Sequence, residues 1–383
     1  MGSSSTNPSE KIIIKEPAEI KYKNELQALI DSDDATKRPI NWKLSPKQVI
    51  KFILGSDEEF EKKSSGKSKK SSVKISKKFY GDPILIQRAV ASLASNKALM
   101  LIGEPGTAKS YLSELLASAI CGTSINTIQG SASVTEDQIK YSWNYALLLA
   151  KGPSRESLVP SPMLNGFEQG SVVRFEEITR CPPEIQDTIL SLLSDKVMVI
   201  PELGDDGIIY ANSGFGLVAT ANTRDRGVNE MSSALKRRMN FETVKPLDDV
   251  ELEMELVSNQ VTEYLENASI KREVVPEVIE LLTTTFSELR NGKSVTGDKL
   301  ERLTQATMST AECVDTAINS AVYSHYIEDG PMSPASAAIS MKGTIIKDGT
   351  DDITKLRNFF TIVLKNRSEN HWKEFYNSGL KIL

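Results

Sequence analysis

The chain has 383 residues, of which 25% are charged and 39% hydrophobic, and its formal net charge is −5. This composition is ordinary for a globular protein with room for two or three domains, and no general affinity for nucleic acid or membranes follows from it. The three cysteines and two histidines lack metal or disulfide spacing, which argues against a Cys/His metal site and predicts a reducing, cytoplasmic setting.

Residues 1–61 are predicted to form an N-terminal arm or small module that is partly helical, with the first ten residues disordered. Two amphipathic segments, residues 22–30 and 49–54, indicate helices, and Ser45-Pro46 supplies an N-cap and a first-turn proline before the second. Residues 1–6 also fit an N-myristoylation pattern, but the pattern is short and Ser-rich, so a flexible terminus is the preferred interpretation. No apolar run approaches the roughly 18 residues of a membrane span, and no signal-peptide core is present.

Residues 62–78 contain eight lysines, six serines and one glycine, with almost nothing to bury. This composition predicts a flexible linker. A patch for nucleic acid or an acidic partner is the alternative, but no aromatic side chains are interleaved for base stacking.

A candidate phosphate-binding loop follows the apolar run 98–102 and precedes a segment with helical spacing. The loop reads Gly103-Glu104-Pro105-Gly106-Thr107-Ala108-Lys109-Ser110. Strand, glycine turn and helix beginning with Lys-Ser is the context in which backbone N–H groups and a helix N-terminus bind phosphate. Lys109 would then reach the β- and γ-phosphates, and the Ser110 hydroxyl would bind Mg²⁺. Ala108 departs from the usual glycine before the lysine, and a plain turn with an incidental lysine is the competing interpretation.

Alternating strands and helices predict an α/β domain over residues 79–247, with a parallel sheet sandwiched by helices. The expected strands are 98–102, 124–128, 171–177 and 215–222, the expected helices are 84–93, 111–119 and 183–193, and a hairpin is expected over 197–210. Residues 135–165 read as an irregular insertion. Residues 248–383 read as a helical lid and C-terminal helical region, with one possible strand at 343–346.

Polar side chains end three of these strands, where ligands bind in doubly wound sheets. Glu176 would lie near Mg²⁺ and act through its water shell, Glu177 would polarise an attacking water as general base, and Asn222 would hold that water. Arg237 and Arg238 close a basic cluster that could reach a γ-phosphate in a neighbouring subunit. Taken singly, these residues are also compatible with solvated strand ends, a turn and a basic helix face.

With these features in order, residues 79–310 resemble an AAA+ ATPase, more closely the MoxR family and its dynein-related, helix-2-insert relatives. The loop at 103–110 resembles the MoxR Walker A motif, in which alanine before the lysine is familiar. Residues 163–170 and the Val-Val-Arg-Phe-Glu-Glu strand resemble Walker B and its approach, although Glu176 stands where the family has Asp. Residues 221–223 resemble sensor 1, and residues 235–239 the arginine-finger segment, with Arg238 the better finger.

The resemblance implies ATP bound with Mg²⁺ between subunits of a hexameric ring. The implied nucleotide contacts are Gly81, residues 103–110, Tyr111 and, as the sensor-2 residue, Lys299, with Ser110 and Glu176 at the metal. Residues 135–165 resemble the helix-2 insert and residues 197–212 the pre-sensor-1 hairpin, which in relatives engage substrate.

The resemblance further implies a chaperone or remodelling ATPase whose protein partner often carries a von Willebrand A-type domain. Two other functions stay open: a nucleic-acid-translocating motor, which the acidic net charge disfavours, and a slow or non-hydrolysing nucleotide switch, which Glu176 suggests.

Overall fold

In a computed structural model, the protein is described over residues 15–61, 72–223, 229–303, 307–346 and 350–383. The expectations for residues 1–14, including the myristoylation pattern, and for residues 62–71 lie outside these ranges. Within the described ranges, no helix combines the length and apolar character needed to cross a bilayer.

An N-terminal layer of three helices and a hairpin precedes the sheet domain. Its elements are α1 (Ala18–Lys21), α2 (Lys23–Ser32), α3 (Pro46–Leu54), β1 (Ser56–Glu61) and β2 (Ser72–Ile75). Leu29, Phe52 and Ile53 are fully buried and share one apolar cluster with Leu112 and Leu115 of the sheet domain. The layer is therefore part of the main core and not a separate module.

The linker prediction is wrong for residues 72–78. Strand β2 pairs antiparallel with β1, so this part of the Lys/Ser-rich segment is ordered. Lys78 is buried, and its ammonium donates to Glu25 Oε2 at 2.6 Å and to the Phe52 carbonyl at 2.9 Å. Composition alone misses this because the lysine is neutralised by a partner some fifty positions away in the chain.

The sheet domain alternates strands and helices as predicted. Its elements are α4 (Pro83–Ala94), β3 (Ala98–Gly103), α5 (Lys109–Cys121), β4 (Thr127–Gln129), α6 (Glu136–Ile139), β5 (Tyr141–Trp143), α7 (Tyr145–Lys151), β6 (Leu158–Pro160), α8 (Pro162–Gln169), β7 (Val172–Glu176), α9 (Pro183–Asp195), β8 (Val197–Val199), β9 (Ile208–Tyr210), β10 (Gly216–Asn222), α10 (Ser233–Lys236) and β11 (Met239–Val244).

Five of these strands form one parallel sheet in the order β11-β3-β10-β7-β4. Because side chains alternate along a strand, each strand feeds two cores. Leu99 and Leu101 pack with the N-terminal layer, whereas Ala98 and Met100 pack on the opposite face. The parallel α/β prediction is confirmed, and β11 is a fifth strand that the sequence analysis did not identify.

Two small hairpins project from the sheet domain. Strands β5 and β6 pair antiparallel and flank α7, which gives the predicted insertion a strand–helix–strand form. Strands β8 and β9 form the predicted 197–210 hairpin, with a 3₁₀ segment at Pro201–Gly207.

The C-terminal region is helical where described. Its helices are α11 (Val250–Asn267), α12 (Pro276–Asn291), α13 (Thr310–Tyr326), α14 (Pro334–Ile345), α15 (Thr350–Ile362) and α16 (Asn370–Ile382). Residues 343–345 belong to α14, so the strand suggested at 343–346 is wrong. The buried Arg290–Glu253 pair, at 2.7 Å, joins α12 to α11, and Arg290 also donates to the Leu247 carbonyl that leads into the lid.

Candidate functional site

The phosphate-loop candidate connects the end of β3 to the start of α5. Gly103 must be glycine because a Cβ there would lie 2.3 Å from the Val244 carbonyl oxygen of the neighbouring strand. Gly106 and Ala108 both have positive φ, +75° and +62°, which turns the chain sharply into α5. Ala108 therefore adopts a left-handed conformation that glycine would adopt without steric cost.

Lys109 is the first residue of α5 and is buried beneath the loop. Its ammonium donates to the carbonyl oxygens of Glu104 at 2.6 Å and Gly103 at 3.2 Å. Thr107 Oγ1 donates to the same Glu104 carbonyl at 2.9 Å. The loop therefore surrounds the Lys109 ammonium at the N-terminus of a 13-residue helix, and this arrangement is suited to binding phosphate.

Glu176 ends β7 and is almost fully buried, and its two carboxylate oxygens accept four hydrogen bonds. Oε2 accepts from Ser110 Oγ at 2.6 Å and Thr220 Oγ1 at 2.8 Å. Oε1 accepts from Ser113 Oγ at 2.6 Å and Arg174 Nη2 at 3.0 Å. Burial alone would raise the pKa of Glu176, but these donors and the charge of Arg174 hold that pKa below its ordinary value.

Glu177 is held differently from its neighbour. Its backbone is left-handed, with φ 55° and ψ 45°, which is costly for a non-glycine residue and typical of functional positions. The Glu177 N–H donates to Thr220 Oγ1 at 3.0 Å, and Oε2 accepts from Arg180 Nη1 at 2.7 Å. The backbone turn therefore sends the two adjacent carboxylates to different partners.

Asn222 lies beside the phosphate loop. It ends β10, where it is in register with Gly103 of β3. The next residue, Thr223, donates its N–H to the Gly103 carbonyl at 3.0 Å.

Arg237 and Arg238 are exposed and lie at the amino ends of the strands, whereas the phosphate loop lies at their carboxyl ends. They precede Met239, which pairs with Ala98 at the start of β3, whereas Val244 pairs with Gly103 at its end. Five residues of strand separate these positions, about 16 Å at 3.3 Å per residue. Arg238 Nε donates to Ser194 Oγ at 3.0 Å on α9, and both arginines are exposed to solvent.

Among the described lid residues, Ser309 and Ala311 face Gly106 of the phosphate loop, and the sequence analysis did not identify them. A Cβ on Gly106 would lie 2.4 Å from Ser309 Oγ and 3.4 Å from the Ala311 Cβ. Ser309 is the N-cap of α13 and forms a capping box with Glu312, and this Ser-x-x-Glu pattern was the available signal. Lys299, the predicted sensor-2 residue, is exposed in the loop after α12, where its backbone bridges to Lys293.

Two further predicted contacts, Gly81 and Tyr111, lie near the starts of α4 and α5. Gly81 lies between Tyr80, whose hydroxyl accepts from Asn259 Nδ2 on α11 at 3.0 Å, and the N-terminus of α4. The Tyr111 hydroxyl lies 2.8 Å from that of Tyr22, so this side chain contacts the N-terminal layer, and burial raises the Tyr111 pKa.

In the described ranges no cluster of three or more His, Cys, Asp or Glu side chains could hold a metal ion alone. The loop, the buried lysine, two carboxylates and an asparagine do converge at the carboxyl ends of β3, β7 and β10. This fold and this set of side chains define a nucleotide-binding domain of the AAA+ class.

Comparison with known proteins specifies the class further. Residues 98–239 match the family described as AAA domain (dynein-related subfamily), and residues 251–380 match the YehL-like AAA+ ATPase C-terminal domain. The chain is 45% identical over 374 residues to YehL of Escherichia coli (strain K12), which covers 97% of this chain and 98% of YehL. The chain therefore belongs to the YehL-like family of dynein-related AAA+ ATPases.

More distant similarities are weaker. YojN of Bacillus subtilis (strain 168) is 26% identical over 159 residues, which is 41% of this chain and 50% of YojN. The structure of NtrX from Brucella abortus in complex with ADP aligns with a TM-score of 0.45 at 12% identity, over 79% of this chain and 64% of the NtrX chain.

Proposed function

We propose that the chain is an ATP-hydrolysing, ring-forming AAA+ remodelling ATPase of the MoxR type that acts on a protein partner. The observation that carries the proposal is that the site residues lie at opposite ends of the parallel strands. Lys109, Ser110, Glu176 and Glu177 lie at the carboxyl ends, and Arg238 is exposed at the amino end of β11. About 16 Å of strand lies between the Arg238 segment and the end of the sheet that carries the loop, so a finger arginine at this position would serve a neighbouring copy, which a closed ring provides.

The residues present fit ATP and Mg²⁺. The helix N-terminus and the Lys109 ammonium suit phosphate oxygens, and the Ser110 hydroxyl with the Glu176 carboxylate offers the oxygen donors that Mg²⁺ prefers. Ser110 donates its hydrogen to Glu176, which leaves its oxygen lone pairs for a cation. Bound Mg²⁺ would neutralise charge on the β- and γ-phosphates.

The chain's own residues divide the work of hydrolysis. Lys109 binds phosphate oxygens, Glu177 polarises the attacking water as general base, and Asn222 orients that water. Arg180 fixes the direction of the Glu177 carboxylate through its 2.7 Å bond. Arg238 of the adjacent subunit stabilises the negative charge that develops in the transition state.

The partner surface we propose is formed by the two projecting hairpins. Leu149 on α7 is 89% exposed and Tyr145 is 72% exposed, while Tyr210 and Val199 are exposed on the β8–β9 hairpin. Exposed large apolar side chains on projecting elements are typical of protein interaction sites. By resemblance to the MoxR family, the partner class is a protein with a von Willebrand A-type domain, encountered in the cytoplasm.

An ATP-turnover assay with matched variants tests the proposal. Glu177→Gln is expected to lower turnover at least about 100-fold while ATP still binds, because it removes the general base. Glu176→Asp withdraws the carboxylate from Ser110 and Thr220 and is expected to change turnover as well. Glu280→Gln, an exposed carboxylate on α12, is the control. Unchanged turnover in both site variants would refute the assignment.

The identity of the partner can be read from what co-purifies with the Glu177→Gln form in the presence of ATP. A ring that retains one specific protein supports the proposal. Turnover that DNA stimulates, with stimulation lost as salt rises, would instead indicate a nucleic-acid motor. Wild-type protein that keeps its bound ATP intact for hours would indicate a nucleotide switch.

A further inference from the structure

Arg174 is a largely buried arginine that lies between the apolar residues Val173 and Phe175 of β7. It precedes Glu176 by two positions on β7, so both side chains lie on the same face of the sheet. Only 11% of the Arg174 side chain is exposed. An isolated charge in such a position is costly, so the contacts of its guanidinium must account for its presence.

All five N–H groups of Arg174 have acceptors, which is the full capacity of a guanidinium. Nε donates to Ser113 Oγ at 2.9 Å, and Nη2 donates to the Ser110 carbonyl and to Glu176 Oε1, both at 3.0 Å. Nη1 donates at 3.2 Å to the Ser124 carbonyl and at 3.4 Å to Thr127 Oγ1, beside the edge strand β4. The side chain therefore has one defined orientation.

The same guanidinium donates hydrogen bonds to both residues that the proposed function assigns to Mg²⁺. Nη2 joins the backbone of Ser110 to the carboxylate of Glu176, whose other oxygen accepts from Ser110 Oγ at 2.6 Å. Arg174 also limits what Ser113 can do. Because Ser113 Oγ accepts from Nε, its single hydrogen is directed away from the guanidinium, where Glu176 Oε1 lies at 2.6 Å and the Ser110 carbonyl at 2.8 Å.

These contacts of Arg174 matter because the residue at position 176 is glutamate. Glutamate has one more rotatable bond than aspartate, and fixing that bond costs conformational entropy. Arg174, with Ser113 placed by it, restrains the longer side chain at Oε1 and leaves Oε2 toward Ser110.

We propose that Arg174 is a positioning residue that sets the geometry between Ser110 and Glu176 and so determines how strongly Mg²⁺ binding is coupled to nucleotide binding. This inference rests on the proposed function, because it concerns the same site. Arg174 acts through Glu176 and Ser110, and no contact of its own with the nucleotide is required.

The test measures the affinity of a fluorescent ADP analogue in EDTA and in saturating MgCl₂, for wild type, Arg174→Met and Arg174→Lys. Arg174→Met is expected to bind the analogue in EDTA as wild type does, but to lose about 10- to 100-fold of the gain that Mg²⁺ gives, the usual effect of removing a partner of a metal ligand. Arg174→Lys keeps the charge without the fork and is expected to lie between the two. If Arg174→Met does not fold, the comparison of Arg174→Lys with wild type still tests the inference.

Arg88→Met is the matched control. Arg88 on α4 also forms a two-bond pair with a glutamate of the same sheet, Glu242, at 2.7 Å, but on the far edge strand β11. Its removal is expected to leave the coupling between Mg²⁺ and nucleotide unchanged.

A double-mutant cycle with Glu176→Gln separates positioning from a general structural role. Because Arg174 acts through Glu176 as well as Ser110, Arg174→Met is expected to have a clearly smaller effect on Mg²⁺ coupling in the Glu176→Gln background than in wild type. Additive effects, or wild-type coupling in both Arg174 variants, would refute the inference alone. Wild-type protein that binds no nucleotide would refute the proposed function, and the inference with it.

Discussion

Replacing Gly106 by alanine is expected to destabilise the chain by separating the phosphate loop from helix α13. The positive φ of +75° costs a non-glycine residue about 1–2 kcal/mol. The new Cβ would also lie 2.4 Å from Ser309 Oγ and 2.5 Å from its Cβ, and overpacking of this kind costs about 1–3 kcal/mol. The expected loss in the free energy of unfolding is therefore about 2–5 kcal/mol.

The two contributions can be separated by a second substitution. Ser309→Gly removes both close atoms and leaves the Ala311 Cβ at an ordinary 3.4 Å. Glycine at an N-cap costs only a few tenths of a kcal/mol relative to serine. The Gly106→Ala/Ser309→Gly double variant is therefore expected to recover about 1–3 kcal/mol of the loss, which is the steric share alone.

Gly122→Ala is the control for the backbone share. Gly122 has nearly the same φ, +77°, and a Cβ there would meet only the flexible Lys43 side chain at 3.5 Å or more. Denaturant unfolding followed by fluorescence measures all four proteins. If Gly106→Ala costs no more than Gly122→Ala, and Ser309→Gly restores nothing, α13 does not face the loop as described.

Three further outcomes are expected. Ala108→Gly should stabilise the chain by about 1 kcal/mol in the same unfolding assay, because it relieves a left-handed alanine with φ 62°, and a loss of stability would contradict this. Arg238→Ala should lower ATP turnover about 10³-fold or more while nucleotide affinity is kept, and turnover close to wild type would remove it from the site. Leu149→Ser should leave the free energy of unfolding within about 0.5 kcal/mol of the wild-type value, because the side chain is 89% exposed. The same substitution should reduce the amount of partner retained by the Glu177→Gln form, and full retention would exclude α7 from the partner surface.

The parallel sheet and the polar residues at its carboxyl edge were predictable because each depends on local pattern. An apolar run followed by a glycine turn and a helix start is visible in residues 98–116, and the carboxylates and Asn222 directly follow apolar strands. Strand β11 was missed because polar residues such as Asn240 and Glu242 interrupt its apolar pattern, and the pairing with Arg88 that accommodates the buried Glu242 is long-range.

The parts of the site that could not be predicted depend on contacts between distant segments. Ser309 and Ala311 reach the phosphate loop only through the packing of the lid, some two hundred residues further along the chain. Ser113 and Thr220 carry no motif, and only their three-dimensional position beside Glu176 gives them a role. Arg174 did leave a signal, a charge within an apolar strand, but its acceptors could not be read from the sequence.

The shared core of the N-terminal layer determines where the chain can be cut for expression. The dynein-related match begins at residue 98, yet Phe52 and Ile53, which precede it, are packed in one apolar cluster with the surface that Leu112 and Leu115 form on the phosphate-loop helix. A fragment started at the edge of the recognisable domain would expose that surface to water and invite aggregation. Any shortened form intended for assays or crystals therefore has to retain α1 to α3, because the helix that carries Lys109 is folded against them.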